Sequence, residues 1–87
     1  MSQFVHAHRP LQAIVGGGGG WYRAKCPQFD VYGGGSSPAE ARESLFESVR
    51  ATAKYVVGLN GSAAQDPRRP YAVLVVDNLA NLEQLFE

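Results

Sequence analysis

The sequence has few of the features that mark several large classes of protein. One cysteine in 87 residues excludes an intramolecular disulfide and is typical of a reducing compartment. No apolar run approaches the roughly 20 residues of a membrane span, and the opening MSQFVHAHRP lacks the apolar core of a signal peptide. We therefore expect a cytoplasmic protein that does not act at a membrane.

An excess of charge of one sign is also missing. Eight Lys and Arg balance eight Asp and Glu, so the chain as a whole lacks the basic field that sequence-independent nucleic-acid binding requires. Glycine is the residue in excess, with ten copies, most of them in two clusters. The length fits one domain at most. We place that domain at residues 1–87, with a core at about 9–76 and a short tail at 77–87.

Three short strands are predicted in the first part of the chain. Residues 11–15 form a β-favouring run, and the glycines at 16–20 separate it from the next strand. Such a glycine run indicates a hairpin connection longer than a two-residue turn. The third strand is predicted at 29–33, after Pro27, which ends the second strand because proline has no N–H to donate to a ladder.

The second of these strands, residues 21–26, alternates between two kinds of side chain. Tyr22, Ala24 and Cys26 point to one side, which we predict to be the core face. The other side faces solvent or a partner, and its residues are our first candidates for partner binding: Trp21, Arg23 and Lys25.

A long amphipathic helix is the clearest local prediction. Ser37, Pro38 and Glu40 combine a capping box with proline at the first helical position, and Gly58 marks the C-terminal end. The apolar residues recur every three or four positions: Ala41, Leu45, Val49, Ala53 and Val56. The opposite side carries charged residues at the same period: Glu40, Glu43, Glu47, Arg50 and Lys54. We name Glu40, Glu43 and Glu47 the acidic stripe and take it as a second candidate surface for a partner.

The last third of the chain is predicted to contain a loop, a strand and a short helix. Residues 60–70 are polar and rich in turn formers, the β-branched run at 71–76 favours a fourth strand, and 77–87 favours a short helix. Such a helix is marginal alone and must pack on its own sheet or on a second subunit. We therefore expect a homo-oligomer, a dimer or a tetramer, with these candidate assembly residues: Val73, Val75, Leu79, Leu82, Leu85 and Phe86.

The reactive side chains do not form a pattern typical of an active site. His6 and His8 could share one face of a strand, but no third metal ligand is evident. The glycines at 33–35 lead into a helix N-terminus, where amides can hold an anion, although a tight turn and a cap explain the same residues. Cys26 has no base nearby in sequence and is predicted to be a buried, inert thiol. The acidic stripe is more typical of a solvated helix face than of half a metal-hydrolase site. We expect no catalysis, no metal and no cofactor.

The order of residues across about 11–57 resembles the HicB-like family of antitoxins. The family pattern has an aromatic residue, alanine, proline, an acidic or polar residue, an apolar residue, glycine, two small polar residues, Glu-Ala and then a helix. The residues that meet it here are Tyr22, Ala24, Pro27, Gln28, Phe29, Gly35, Ser36, Ser37, Glu40, Ala41, Leu45, Glu47, Val49 and Tyr55. The resemblance implies a truncated ribonuclease-H-like fold, in the same order of elements that the residue pattern predicts. The predicted class is thus α/β (α+β): a three-stranded antiparallel meander, one long helix packed across it, a fourth strand and a short C-terminal helix.

The resemblance also implies a function. HicB-like domains bind rather than catalyse, and they usually block a small basic HicA-like RNA-cleaving toxin. Many carry a DNA-binding segment, but the residues after Gly58 are too few for a helix-turn-helix and do not fit a ribbon-helix-helix, so DNA binding is doubtful. Our leading hypothesis is the antitoxin of a type II toxin–antitoxin system with a HicA-like toxin as its partner. The alternatives are an orphan homo-oligomer that assembles through residues 71–86, and a metal- or RNA-dependent nuclease remnant.

Overall fold

The computed structural model describes residues 9–59 and 65–87. Within these residues it contains an antiparallel sheet in the order β1-β2-β3, followed by three helical segments. The elements are β1 (Ile14–Gly18), β2 (Trp21–Cys26), β3 (Val31–Gly35), α1 (Pro38–Val57), α2 (Arg69–Val76) and the 3₁₀ segment η1 (Leu79–Leu85). Because α1 crosses one face of the sheet, the predicted α+β class, the meander, the long helix and the short C-terminal helix are confirmed.

The first hairpin turn is tighter than predicted. Gly18 pairs with Trp21, so only Gly19 and Gly20 lie between the two strands. Both have positive φ, at 63° and 92°, as a type I′ turn requires and as glycine adopts at no steric cost. The prediction of a longer connection is therefore wrong, because the first three glycines of the run belong to β1. Gly17 cannot carry a side chain there, since a Cβ would lie 2.5 Å from the carbonyl oxygen of Trp21.

The third strand lies two residues later than predicted, at 31–35 instead of 29–33. Its turn ends on Asp30, which has a φ of 54°, a left-handed conformation that Asp tolerates better than most residues. Phe29, expected in this strand, is instead buried beneath the turn at 1% exposure. As a result, β3 consists largely of the second glycine cluster.

These glycines let α1 lie directly on β3. A Cβ at Gly33 would clash with the backbone of α1, and a Cβ at Gly35 would lie 2.5 Å from the Cβ of Glu40. The Ser44 hydroxyl of the helix also accepts a hydrogen bond from the amide of Gly34 at 3.2 Å. The helix therefore covers part of the outer edge of β3, and a covered edge is less prone to pair with another chain.

The start of α1 has the predicted cap with one change of partner. The Ser37 hydroxyl accepts from the amide of Glu40 at 3.1 Å, which is half of a capping box. The carboxylate of Glu40 reaches one residue further back than expected, to the hydroxyl and amide of Ser36 at 2.7 and 2.9 Å. Both hydrogen bonds favour the ionised carboxylate and so lower the pKa of Glu40, and the bond from the hydroxyl has the larger effect. The helix ends at Val57 with Gly58 at the capping position, as predicted.

The apolar face of α1 forms the centre of the core. All five positions predicted for this face are fully buried: Ala41, Leu45, Val49, Ala53 and Val56. Ala24 and Cys26 of β2 are fully buried with them, and Tyr22 is half-buried. The alternation predicted for residues 21–26 is therefore confirmed.

The fourth strand predicted at 71–76 is wrong, because these residues lie in α2. Ala72 and Val75 are fully buried while Val73 is 40% exposed, which is the i, i+3 pattern of a helix on a surface. Pro70 sits in the first turn, where its fixed φ suits a helix start. Packing of α2 against α1 thus overrides the β propensity of the run.

The C-terminal segment completes the core that we expected to end near residue 76. Leu82, Leu85 and Phe86 are 2–7% exposed, and the Phe86 ring packs on Phe46 of α1 with centroids 4.8 Å apart. Leu11 forms a parallel bridge with Phe86: its amide donates to the Leu85 carbonyl at 3.0 Å, and its carbonyl accepts from the amide that follows Phe86 at 3.0 Å. We call this pairing the terminal clasp.

Candidate interaction surfaces

The outward side chains of β2 lie on a sheet face that no other described element covers. Trp21 is 60% exposed, Arg23 is exposed and Lys25 is half-buried. Ile14 from β1 and Tyr32 from β3 flank them at 56% and 48% exposure, because Lys25 pairs with Ile14 on one side and with Tyr32 on the other. We call this surface the open face.

Both cations of the open face gather around Tyr32. The guanidinium carbon of Arg23 lies 5.7 Å and the Nζ of Lys25 lies 5.3 Å from the centre of its ring, which is within cation–π distance. Within residues 9–59 and 65–87, the ion pair that is found joins Arg68 to Asp66, and neither residue belongs to the open face. No carboxylate of the described residues therefore neutralises the two cations of the open face.

Glycines make the open face flat around the tryptophan. The Trp21 ring lies across Gly34, where a Cβ would come within 2.8 Å of its Cζ2 atom. At Gly16 and Gly18, an added Cβ would have no other atom within 4 Å. A shallow depression of about 440 Å³ results, with glycine backbone beside Ile14, Trp21 and the two cations.

The acidic stripe lies on the opposite side of the molecule, on the outer surface of α1. Glu40, Glu43 and Glu47 are all exposed and span roughly 10 Å along the helix axis. Glu40 is held by Ser36, and none of the three forms an ion pair with a described residue. The stripe thus presents three carboxylates without an ion-pair partner among the described residues, over the first half of α1.

A groove of about 420 Å³ runs beside the stripe, between α1 and η1. Glu43 shares its lining with Arg42 and Arg50, and the Arg42 guanidinium stacks on Phe46 at 5.0 Å. The groove therefore carries both signs of charge. Glu43 belongs both to the stripe and to this groove.

Most of the candidate assembly residues are covered by their own chain. Four of them are 0–7% exposed, namely Val75, Leu82, Leu85 and Phe86. Leu79 is half-buried and Val73 is 40% exposed. Removing the segment after Pro70 would therefore strip the monomer of part of its core, so such a truncation cannot test assembly alone.

The remaining candidates for chemistry occupy structural positions or lie outside the described residues. Cys26 is fully buried, with its Sγ 3.5 Å from Oε1 of Gln28, and burial raises its pKa. Before the N-terminus of α1, the amide of Ser36 donates to the Glu40 carboxylate, and the Ser37 hydroxyl accepts from the amide of Glu40, so both groups are used by the cap. Residues 6 and 8 lie outside the described part of the chain.

Sequence reasoning missed two residues of the open face. Ile14 and Tyr32 were assigned to strands, but their facing depended on the register against β2. Once the Gly19–Gly20 turn is fixed, pairing places Ile14 and Tyr32 on either side of Lys25. The turn type was the missing signal, because five identical glycines leave the register unspecified.

Comparison with known protein families, curated proteins and solved structures finds no match to this chain. Among the helices of residues 9–59 and 65–87, none combines the length and apolar character that crossing a membrane demands.

Proposed function

We propose that this protein is a HicB-like antitoxin that binds and neutralises a small, basic, HicA-like RNA-cleaving toxin in the cytoplasm, without catalysis of its own. The resemblance across residues 11–57 supports this proposal. So does the order of elements in the structure, in which a three-stranded meander is followed by one long helix across it. The further strand that the resemblance implies is replaced by α2.

The acidic stripe carries the proposal. Its three carboxylates point away from the core and lack ion-pair partners among the described residues. A basic RNA-binding protein presents the complementary sign, and such complementarity speeds encounter and fixes orientation. The open face has the wrong sign for this partner, since its charged side chains are both cations.

The first experiment is to isolate the tagged full chain from its native source and identify what is bound. The expected product is a stoichiometric complex with a small basic protein. That protein, expressed alone, should cleave RNA, and adding the antitoxin should stop the cleavage. A source that makes such a ribonuclease but yields only the bait would overturn the proposal, as would a bound protein whose RNA cleavage continues.

A pair of charge-reversal variants tests whether the stripe is the contact. Glu43→Lys with Glu47→Lys should weaken inhibition of the ribonuclease strongly, whereas Asp77→Lys with Glu87→Lys, the same net change at exposed sites away from α1, should not. Glu40 is left intact because its carboxylate bonds Ser36 beside the helix cap. Equal inhibition by both variants would remove the stripe from the interface.

A further inference from the structure

We propose that the open face binds single-stranded nucleic acid, with a base stacked on Trp21 and phosphates held by Arg23 and Lys25. This surface lies on the opposite side of the sheet from α1 and its acidic stripe. The inference therefore does not depend on the proposed toxin.

The charge of the open face selects an anionic partner. None of the residues in the three strands is acidic, and Arg23 and Lys25 have no carboxylate within ion-pair distance among the described residues. The overall balance of charge thus hides a local separation of sign. Face-to-face pairing of two copies would bring these cations against their own equivalents, and like charges repel at short range.

The shape and the aromatic side chains of the open face favour bases over an acidic peptide. Trp21 lies across Gly34 and remains 60% exposed, so a large part of its ring is accessible. The depression beside it is lined by two glycines and Ile14 as well as by Trp21 and the two cations. Stacking needs only a flat partner, and every base has one, which makes such sites tolerant of sequence. A carboxylate-rich peptide would use the cations but would leave the indole surface in water.

The number of cations sets the expected salt dependence. Neutralising two phosphates of a single strand gives a slope of about −1.4 in the logarithm of the binding constant against the logarithm of salt concentration. The binding is therefore weak and best seen at low salt. Both cations lie near the Tyr32 ring, so we expect them to contact phosphates of the same strand.

The single tryptophan of the chain is itself the reporter. A short oligouridine titrated into the full-length protein at low salt should quench Trp21 fluorescence with saturation. Inorganic polyphosphate should bind without the quenching that stacking causes. Poly-glutamate, the probe for an acidic protein partner, should compete poorly.

Matched variants separate this site from general charge effects. Measured by anisotropy of labelled oligouridine, Trp21→Ala should weaken binding by about 5- to 150-fold, the range found when a stacking aromatic is removed. Arg23→Gln with Lys25→Gln should bring the salt slope close to zero. Arg50→Gln with Lys54→Gln, the same change of charge on the outer face of α1, should leave the slope and affinity unchanged. Circular dichroism verifies that each variant is folded.

Three results would overturn the proposal. The first is no saturable quenching by oligouridine at low salt. The second is an equal loss of affinity in the α1 control, which would mean binding to the net charge alone. The third is tighter binding of poly-glutamate than of oligouridine, which would assign the open face to an acidic protein segment.

Discussion

Substituting Phe86 tests the finding that the C-terminal segment belongs to the monomer core. The side chain is 2% exposed, and its ring packs on Phe46 at a centroid distance of 4.8 Å. Replacing a buried phenylalanine by alanine typically costs about 3–5 kcal/mol, because apolar contact is lost and a cavity is left. A domain of this length has a total stability of roughly 4–13 kcal/mol. Phe86→Ala should therefore remove a large part of it.

Urea unfolding followed by circular dichroism measures this loss. With a slope of about 1.5 kcal/mol per molar urea, a loss of about 4 kcal/mol lowers the midpoint by about 2–3 M. Tyr55→Ala is the matched control, since that ring is 64% exposed and its removal should change stability by no more than about 0.5 kcal/mol.

Protein concentration separates burial within one chain from burial between chains. If Phe86 packs inside its own chain, the stability lost in Phe86→Ala is the same at dilute and concentrated protein. If a second copy covers it, as in the hypothesis of an orphan homo-oligomer, that loss grows with concentration. A loss below about 1 kcal/mol for Phe86→Ala, or a loss that appears only at high concentration, would refute the packing described for this ring.

Three further measurements test individual contacts. Gly33→Ala should lower the free energy of unfolding by about 1–3 kcal/mol, because the added methyl group would clash with the backbone of α1. Gly16→Ala is the control and should be nearly neutral, because a Cβ there has nothing within 4 Å. Equal effects of the two substitutions would contradict the close contact of helix and strand. Cys26 should resist thiol reagents in the native protein at about pH 8 and react once the chain is unfolded, since burial hides the thiol and raises its pKa. Similar reaction rates in the native and unfolded protein would show that the thiol is accessible. Hydrogen bonds from Arg68 lower the pKa of Asp66 to about 2. The ionised carboxylate therefore contributes its full stabilisation above its unfolded pKa near 3.9, and this contribution is lost as the pH falls through about 2. Wild type and Asp66→Asn should therefore differ slightly in urea stability at neutral pH and converge in acid, and a difference that is constant with pH would contradict the pairing with Arg68.

Local signals in the sequence predicted the centre of the fold. The cap at Ser37, the glycine at 58 and the three-to-four-residue period between them gave the bounds and the buried face of α1. The strict alternation of residues 21–26 gave both faces of β2. In both cases one short segment contains the full pattern, so no distant contact is needed to interpret it.

The elements that the sequence did not predict depend on contacts between distant segments. The apolar run at 71–76 fits a buried strand or a buried helix equally well by periodicity, and its packing against α1 decides for the helix. The short tail packs into the core because Phe86 contacts Phe46. Phe46 lies outside the apolar stripe that was predicted for α1, so this contact was not foreseen. The β2 residues of the open face were predicted from the alternation within one strand. The facing of Ile14 and Tyr32 could not be predicted in this way, because it depends on how β1 and β3 pair with β2.

The terminal clasp has a consequence for the order of events in folding. It joins Leu11 to Leu85 and Phe86, so the long segment between these residues must be closed into a loop before the clasp forms. Contacts of such long sequence separation form late, whereas the two hairpins and the packing of α1 on β3 connect near neighbours. Breaking the clasp should therefore accelerate unfolding and leave the refolding rate almost unchanged. We therefore expect the clasp to contribute more to the lifetime of the native state than to the speed of folding.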